Sequence, residues 1–214
     1  MTTPKKRIRA PQQTRKAVLK AAEKLFAKSG FAGTSMRDIS LASRVSQPLI
    51  HHHFGRKKEL YGAVHEEAVR RCRAMLEPSL EAEECDGETL LEAVGEYFSL
   101  VGSNKSLRRL CAWSLLEEDS CLWPGEGEFF QKARDWIQEA QEKGKISRDV
   151  QPFFLTVMAL GLVCHWWEYR DVYAGYLGKG SAATAKLDGK PLDEVYLSQV
   201  LRFITAALAT KSSR

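Results

Sequence analysis

The stretch from Ser35 to Phe54 constrains this chain more than any other. Met36, Ile39 and Ala42 recur at helical spacing, the pattern breaks around Arg44 to Ser46, and Ile50 and Phe54 resume it. Two short helices joined by a tight turn are the consequence. The second is polar on the side that Ile50 and Phe54 leave free. Such a pair is the layout of a helix-turn-helix unit, which sets its second helix into the major groove of DNA. The charge distribution points the same way. The first sixty residues carry fourteen Lys/Arg against Glu23, Asp38 and Glu59, a net of +11, whereas the whole chain is +5, so the remainder sums to 5 − 11 = −6. One end is built to meet phosphates and the other is not.

The flanking sequence completes a small helical domain. Residues 1–12 form a basic arm without apolar periodicity, able to touch phosphate or a minor groove. A first helix is expected from about Gln13 to Lys28, with Val18, Ala22, Leu25 and Phe26 on one face and Gly30 as its C-cap. Ser35 and Asp38 have capping-box spacing, so the second helix starts there. Ser46 is placed to cap the third helix, and Pro48 falls in its first turn, where a missing N–H costs nothing. A fourth helix from near Lys57 would bury Leu60, Ala63, Val64 and Ala68 and end before Pro78. The expected organisation is an arm at 1–12, a helix-turn-helix DNA-binding domain at 13–60 and a helical body at 61–214.

Beyond Pro78 only helical periodicity appears, over 88–102, 106–118, 126–143, 149–174 and 191–210, with a Gly/Ala/Ser-rich separator at 178–190. The fold class is therefore all-α: an N-terminal three-helix DNA-binding domain followed by a helical ligand-binding and dimerisation domain. Leu155, Met158, Leu162 and Trp166 trace one apolar stripe; Leu197, Val200, Leu201, Ile204 and Leu208 trace another. Two such stripes suit a four-helix contact between two copies of the chain, which makes these residues the expected homodimer interface. Val150 to Trp167 carries no charged side chain, but it includes Gln151, Pro152, Thr156 and His165, which favours a buried helix over a membrane span.

Other chemistries find little support. Cys72, Cys85, Cys111, Cys121 and Cys164 form no Cys-x-x-Cys pair and are odd in number, and no signal peptide precedes them. Free thiols in a reducing cytoplasm are expected. Consecutive helical residues point about 100° apart, so His51, His52 and His53 do not converge on a metal ion. No nucleophile elbow, phosphate loop or paired-carboxylate arrangement can be placed, so no enzyme activity, metal or cofactor is expected.

Residues 14–64 resemble the N-terminal domain of the TetR (tetracycline-repressor-like) family of transcriptional regulators. The resemblance is carried by Thr14-Arg15, Ala21-Ala22 with Leu25-Phe26, Gly30-Phe31, Thr34 to Ile39, Val45-Ser46, Ile50 with His53-Phe54, and Lys57 with Leu60-Tyr61. It implies a ligand-responsive repressor, a homodimer reading a palindromic operator. Two positions depart from the family pattern. Arg44 replaces the usual turn glycine, and His51-His52 replace an aromatic pair. Thr34, Ser35, His51, His52 and Lys57 match positions that in the family clamp the DNA backbone.

Chemistry adds the rest of the candidate DNA contacts. Gln47 lies in the first turn of the reading helix, and its amide can pair with adenine N6 and N7; Leu49 can press on a thymine methyl. Pro48 sits between them, and Arg37 and Arg44 can reach phosphate or base. Trp113, Phe130, His165 and Trp166 are the residues expected to line a pocket for a small, largely apolar effector. The expected partners are thus double-stranded DNA, a second copy of the chain and that effector, with no membrane.

Overall fold

The computed structural model describes residues 10–80, 86–117 and 126–209. Among them are the helices α1 (Pro11–Ser29), α2 (Met36–Ser43), α3 (Gln47–Phe54), α4 (Lys57–Leu80), α5 (Gly87–Ser103), α6 (Lys105–Leu116), α7 (Glu126–Glu142), α8 (Pro152–Tyr176) and α9 (Leu192–Leu208). A two-residue antiparallel ladder, β1 (Lys186–Leu187) with β2 (Lys190–Pro191), lies between α8 and α9. The fold is all-α, as expected. Residues 1–9 of the basic arm, Cys85 and Cys121 lie outside the described residues. Pro11 and Gln12, assigned to that arm, already belong to α1, because proline's fixed φ suits a first helical position.

Two compact units emerge. One holds residues 10–68 together with 109–117; the other holds 69–80, 86–108 and 126–209. The first unit thus runs past the expected boundary at residue 60 and takes in the second half of α6. Its core gathers Val18, Ala22 and Phe26 of α1, Ile39 of α2, Ile50 and Phe54 of α3, Leu60 and Val64 of α4, and Leu110 of α6. On α2 the inner positions are Ile39 and Ser43, not Ala42, which is exposed. α4 continues through Pro78 to Leu80 instead of stopping before it. A proline that close to a C-terminus forfeits one intrahelical bond and disrupts little beyond it.

The second unit is held by α5, α7, α8 and α9 around Leu90, Val94, Phe98, Ile137, Val163 and Ile204. Asp86 caps α5, its carboxylate accepting from Thr89 N at 2.9 Å while Asp86 N donates to Thr89 Oγ1 at 3.0 Å. The expected interface stripes need correction here. Leu155 and Trp166 on α8, and Val200, Ile204 and Leu208 on α9, are buried inside this unit's own core. Leu162, Leu197 and Leu201 are half-buried against it, and only Met158 of the nine is exposed. α8 exposes the apolar Phe154, Val157, Met158, Tyr169, Val172 and Tyr176, together with the polar His165, Glu168 and Asp171. Among the described residues no helix is long and apolar enough to cross a membrane.

Candidate functional site

The helix pair is positioned by three local devices. The first is the close of α1. Gly30, at φ 70°, returns its N–H to Phe26 O at 2.8 Å, and a Cβ there would lie 2.8 Å from the ring of Trp113. Trp113 Nε1 donates to Ala27 O at 3.3 Å, and Arg109 Nε donates to the same carbonyl. The Glu117 carboxylate accepts from Phe31 N at 2.6 Å and from the Tyr61 hydroxyl at 3.2 Å. Arg109, Trp113 and Glu117 therefore pin the chain as it leaves α1.

The second device is the capping box of α2. Ser35 Oγ accepts from Asp38 N at 3.1 Å, and the Asp38 carboxylate accepts from Ser35 N at 3.2 Å. Hydrogen bonding to Ser35 holds the Asp38 carboxyl below its ordinary range. The third is the turn itself. Arg44 adopts the left-handed conformation (φ 57°, ψ 36°) that a glycine would adopt freely, with its N–H on Ser40 O. Ser40 Oγ then donates to Val45 O at 2.7 Å, closing the turn from the side chain. The arginine has not changed the geometry; it occupies it at some cost.

α3 follows, anchored by Ile50 and Phe54. Ser46 stands at its N-cap position, but its side chain makes no capping bond, so the expected side-chain cap is absent. Gln47, Pro48, His51 and His52 share one exposed face, with Leu49 at its edge. His51 Nδ1 pairs with Gly55 O at 2.9 Å. A neutral ring that donates there keeps Nε2 as an acceptor, and only the imidazolium offers Nε2–H to a phosphate. Arg37 and Arg44 are exposed, as are Arg56 and Lys58, two cations that lie outside the motif although their charge is legible in the sequence. α3 contains no acidic residue.

Thr34 and Lys57 behave differently from expectation. Thr34 is only 3% exposed, its hydroxyl donating to Gly30 O at 2.8 Å. Lys57 Nζ donates to Thr34 O at 2.8 Å and sits 4.2 Å from the centre of the Phe31 ring. The two residues are thus tied together, and the ammonium is held half-buried beside the start of α2. Arg15, 4.6 Å over the Phe54 ring, packs in the same manner against α3.

The second unit contains a separate cavity of about 590 Å³ of empty space, counting the part open to solvent. Its walls come from α5 (Leu90, Val94, Tyr97), α7 (Phe129, Trp136) and α8 (Leu155, Thr156), with Ile204 of α9 at one side. None of the four expected effector residues lines it. Trp113 belongs to the first unit. Phe130 packs on Phe153 (5.9 Å between ring centres), His165 is exposed with Nε2 on the Tyr173 hydroxyl at 2.5 Å, and Trp166 stacks on Tyr196 at 4.1 Å while donating to Asp193 Oδ1 at 2.9 Å.

Comparison with known proteins places the first unit. The model for bacterial regulatory proteins of the tetR family matches residues 18–64, which include α2, the Arg44 turn and α3. Over residues 18–64 the chain is similar to the tetR family. An HTH-type transcriptional repressor of Mycobacterium tuberculosis is 52% identical over 48 residues, 22% of this chain and 26% of that protein. The chain thus spans about a quarter of that relative's length. The HTH-type transcriptional repressor SCO4008 of Streptomyces coelicolor is similar over more of the chain, 26% identical across 158 residues, 71% of this chain and 79% of the relative. The fold extends the likeness to nearly the whole chain. The transcriptional regulator FadR of Bacillus subtilis, in complex with stearoyl-CoA, aligns with a TM-score of 0.67 at 15% identity, covering 91% of this chain and 99% of that one. AibR, in complex with isovaleryl coenzyme A and operator DNA, aligns at 0.65 and 19% identity over 89% of this chain and 97% of its own. At these identities the fold is what is shared.

Cys72 and Cys164 are free thiols. Burial pushes the Cys72 thiol up from 9.0 to about 11, and burial raises Cys164 as well. Among the described residues no group of three or more His, Cys, Asp or Glu side chains comes together as a metal site would require.

Proposed function

We propose that the chain is a ligand-responsive transcriptional repressor that binds a palindromic operator as a homodimer. One observation carries this reading. α3 is fixed from behind by Ile50 and Phe54, and it presents Gln47, Pro48, His51 and His52 outward among Arg37, Arg44, Arg56 and Lys58, with no acid on the helix. A helix so held can enter a major groove, with Gln47 and Leu49 reading base edges and Ser35, the histidines and the cations gripping phosphates. Thr34 contributes by holding Lys57 in place.

The pairing surface is the exposed side of α8, with Phe203 of α9 as its neighbour in the sequence pattern; Phe154, Val157, Met158, Tyr169, Val172 and Tyr176 form a run that a second copy would cover. Two copies give two reading helices and hence dyad-related half-sites. The apolar cavity supplies the effector site, and the neighbours FadR and AibR, solved with acyl-CoA ligands, support that use of the fold. Effector and operator then weaken each other by the same factor. Work on chromosomal DNA also fits the reducing compartment expected from the cysteines.

Nuclease footprinting on a duplex selected by the purified chain tests the proposal. Protection of two half-sites related by a dyad is expected. Protection without that symmetry, or with no preference among sequences, overturns it.

A further inference from the structure

We infer that Arg15 is a clamp on the DNA backbone: its guanidinium, held on the Phe54 ring at the far end of α3, takes a phosphodiester of the duplex that Gln47 reads. The inference rests on the reading of α3 as a major-groove helix and adds a contact from a different helix. The tetR-family match begins at residue 18, so that likeness assigns nothing to Arg15.

Arg15 lies near the start of α1 and is exposed, with its Cζ 4.6 Å from the centre of the Phe54 ring. Among the described residues no hydrogen bond or ion pair engages it. Its contact is to the ring alone, which orders the guanidinium and leaves the N–H donors unspent. No carboxylate on either helix is at hand to take them. α1 has no acid in its first turn and only Glu23 beyond it, about 12 Å further along the helix, and α3 has none. Phe54 is packed in the core of the first unit, so the platform under the cation moves only with α3. Its place on that helix decides what the cation meets. Phe54 follows Gln47 by seven residues, which puts it nearly in line with Gln47 and about 10.5 Å further along the axis. The major groove is about 12 Å wide. With Gln47 on a base edge, the end of α3 that carries Phe54 reaches the phosphate wall. A flat, permanently charged fork suits two phosphate oxygens there. Such a contact fixes the register of the reading helix and carries no base preference.

The test uses the full chain and the duplex it selects. Arg15→Gln should lower the slope of log affinity against log salt by about 0.9 for each reading head engaged. That slope amounts to about a fivefold loss at about 0.15 M salt and none near 1 M, read by fluorescence anisotropy. The loss should be equal across variants of the selected sequence. Arg15→Lys keeps the charge but not the fork, so it should retain the slope and recover only part of the affinity. Duplexes carrying one neutral methylphosphonate at a time locate the contact: at one phosphate per half-site the substitution should weaken the parent and leave Arg15→Gln unaffected. Phe54→Leu removes the ring, and Arg15→Gln should then cost less than in the parent. If Phe54→Leu does not fold, the methylphosphonate scan still decides. An Arg15 that only shields Phe54 from water predicts a lower melting temperature with an unchanged slope. That result overturns the assignment, as does a scan in which no phosphate is coupled to Arg15. A parent chain that retains no duplex overturns the repressor reading together with this contact, whereas a parent that binds while Arg15→Gln keeps the full slope overturns the contact alone.

Discussion

Replacing Arg44 with glycine should stabilise the first unit while weakening its hold on DNA. Arg44 is one of two non-glycine residues at positive φ among the described residues. Its backbone lies in the left-handed region at φ 57° and ψ 36°, which costs a residue bearing a Cβ roughly 1–2 kcal/mol. Glycine removes that strain but gains about 0.4–1 kcal/mol of unfolded-chain entropy. The net expectation is a stabilisation of about 0.5–1 kcal/mol, or about 1–4 °C in Tm for a chain of this size. The bonds that define the turn are backbone to Ser40 O and Ser40 Oγ to Val45 O, and neither needs the Arg44 side chain. The cation, however, is exposed beside α3 and is proposed to meet phosphate. Arg44→Gly should therefore flatten the salt dependence of operator binding by about one counterion's slope of 0.9. Thermal unfolding by circular dichroism and a salt titration of binding read the two effects apart. A variant that melts lower than the parent would refute the strain argument, and an unchanged salt slope would refute the contact.

The remaining expectations concern other parts of the molecule. Lys57→Gln should weaken binding almost equally across operator variants and reduce the salt slope by about 0.9, measured by fluorescence anisotropy; a loss confined to particular bases would contradict its role as a backbone clamp. Val157→Glu places a charge on the exposed apolar side of α8, and analytical ultracentrifugation should show a dimer turning into a monomer with its helix content intact. With its pKa raised from 9.0 to about 11, Cys72 at pH 8 holds about a hundredfold less thiolate than an unperturbed thiol, so alkylation in the native chain should be slower by that factor and recover in denaturant. The sign follows for stability. The folded thiol keeps its proton where the unfolded one has lost it, so this contribution is complete below about pH 9 and is lost as pH rises through about 11.

How far the sequence foretold the fold depended on how local the determining physics was. The Ser35–Asp38 capping box, the Gly30 stop and the Ile50–Phe54 anchor of α3 are set within a few residues, and all were legible. Ala42 and Ser43 are hard to tell apart by pattern, because on an eight-residue helix the 3.6-residue period leaves neighbouring positions nearly equivalent. The α8 stripe misled for a related reason. With apolar residues on every side, periodicity does not say that Leu155 and Trp166 turn inward while Phe154 and Tyr176 face out. The hairpin at Leu187-Asp188-Gly189-Lys190 carried a readable Asp-Gly signal, and Asp188 and Gly189 are indeed at φ 52° and 80°. Thr34 and the cavity are different cases. Thr34's hydroxyl turning to Gly30 O, and Trp136 meeting Tyr97 and Thr156 around one space, depend on how helices pack, which no spacing in the chain records.

The central claim is that α3 reads base sequence, and selection of duplexes from a randomised library by the purified chain tests it most directly. The account predicts enrichment of inverted repeats, with discrimination at one base pair per half-site falling by about 1–3 kcal/mol in Gln47→Ala. A library that emerges unenriched, or a motif that Gln47→Ala leaves untouched, would contradict it.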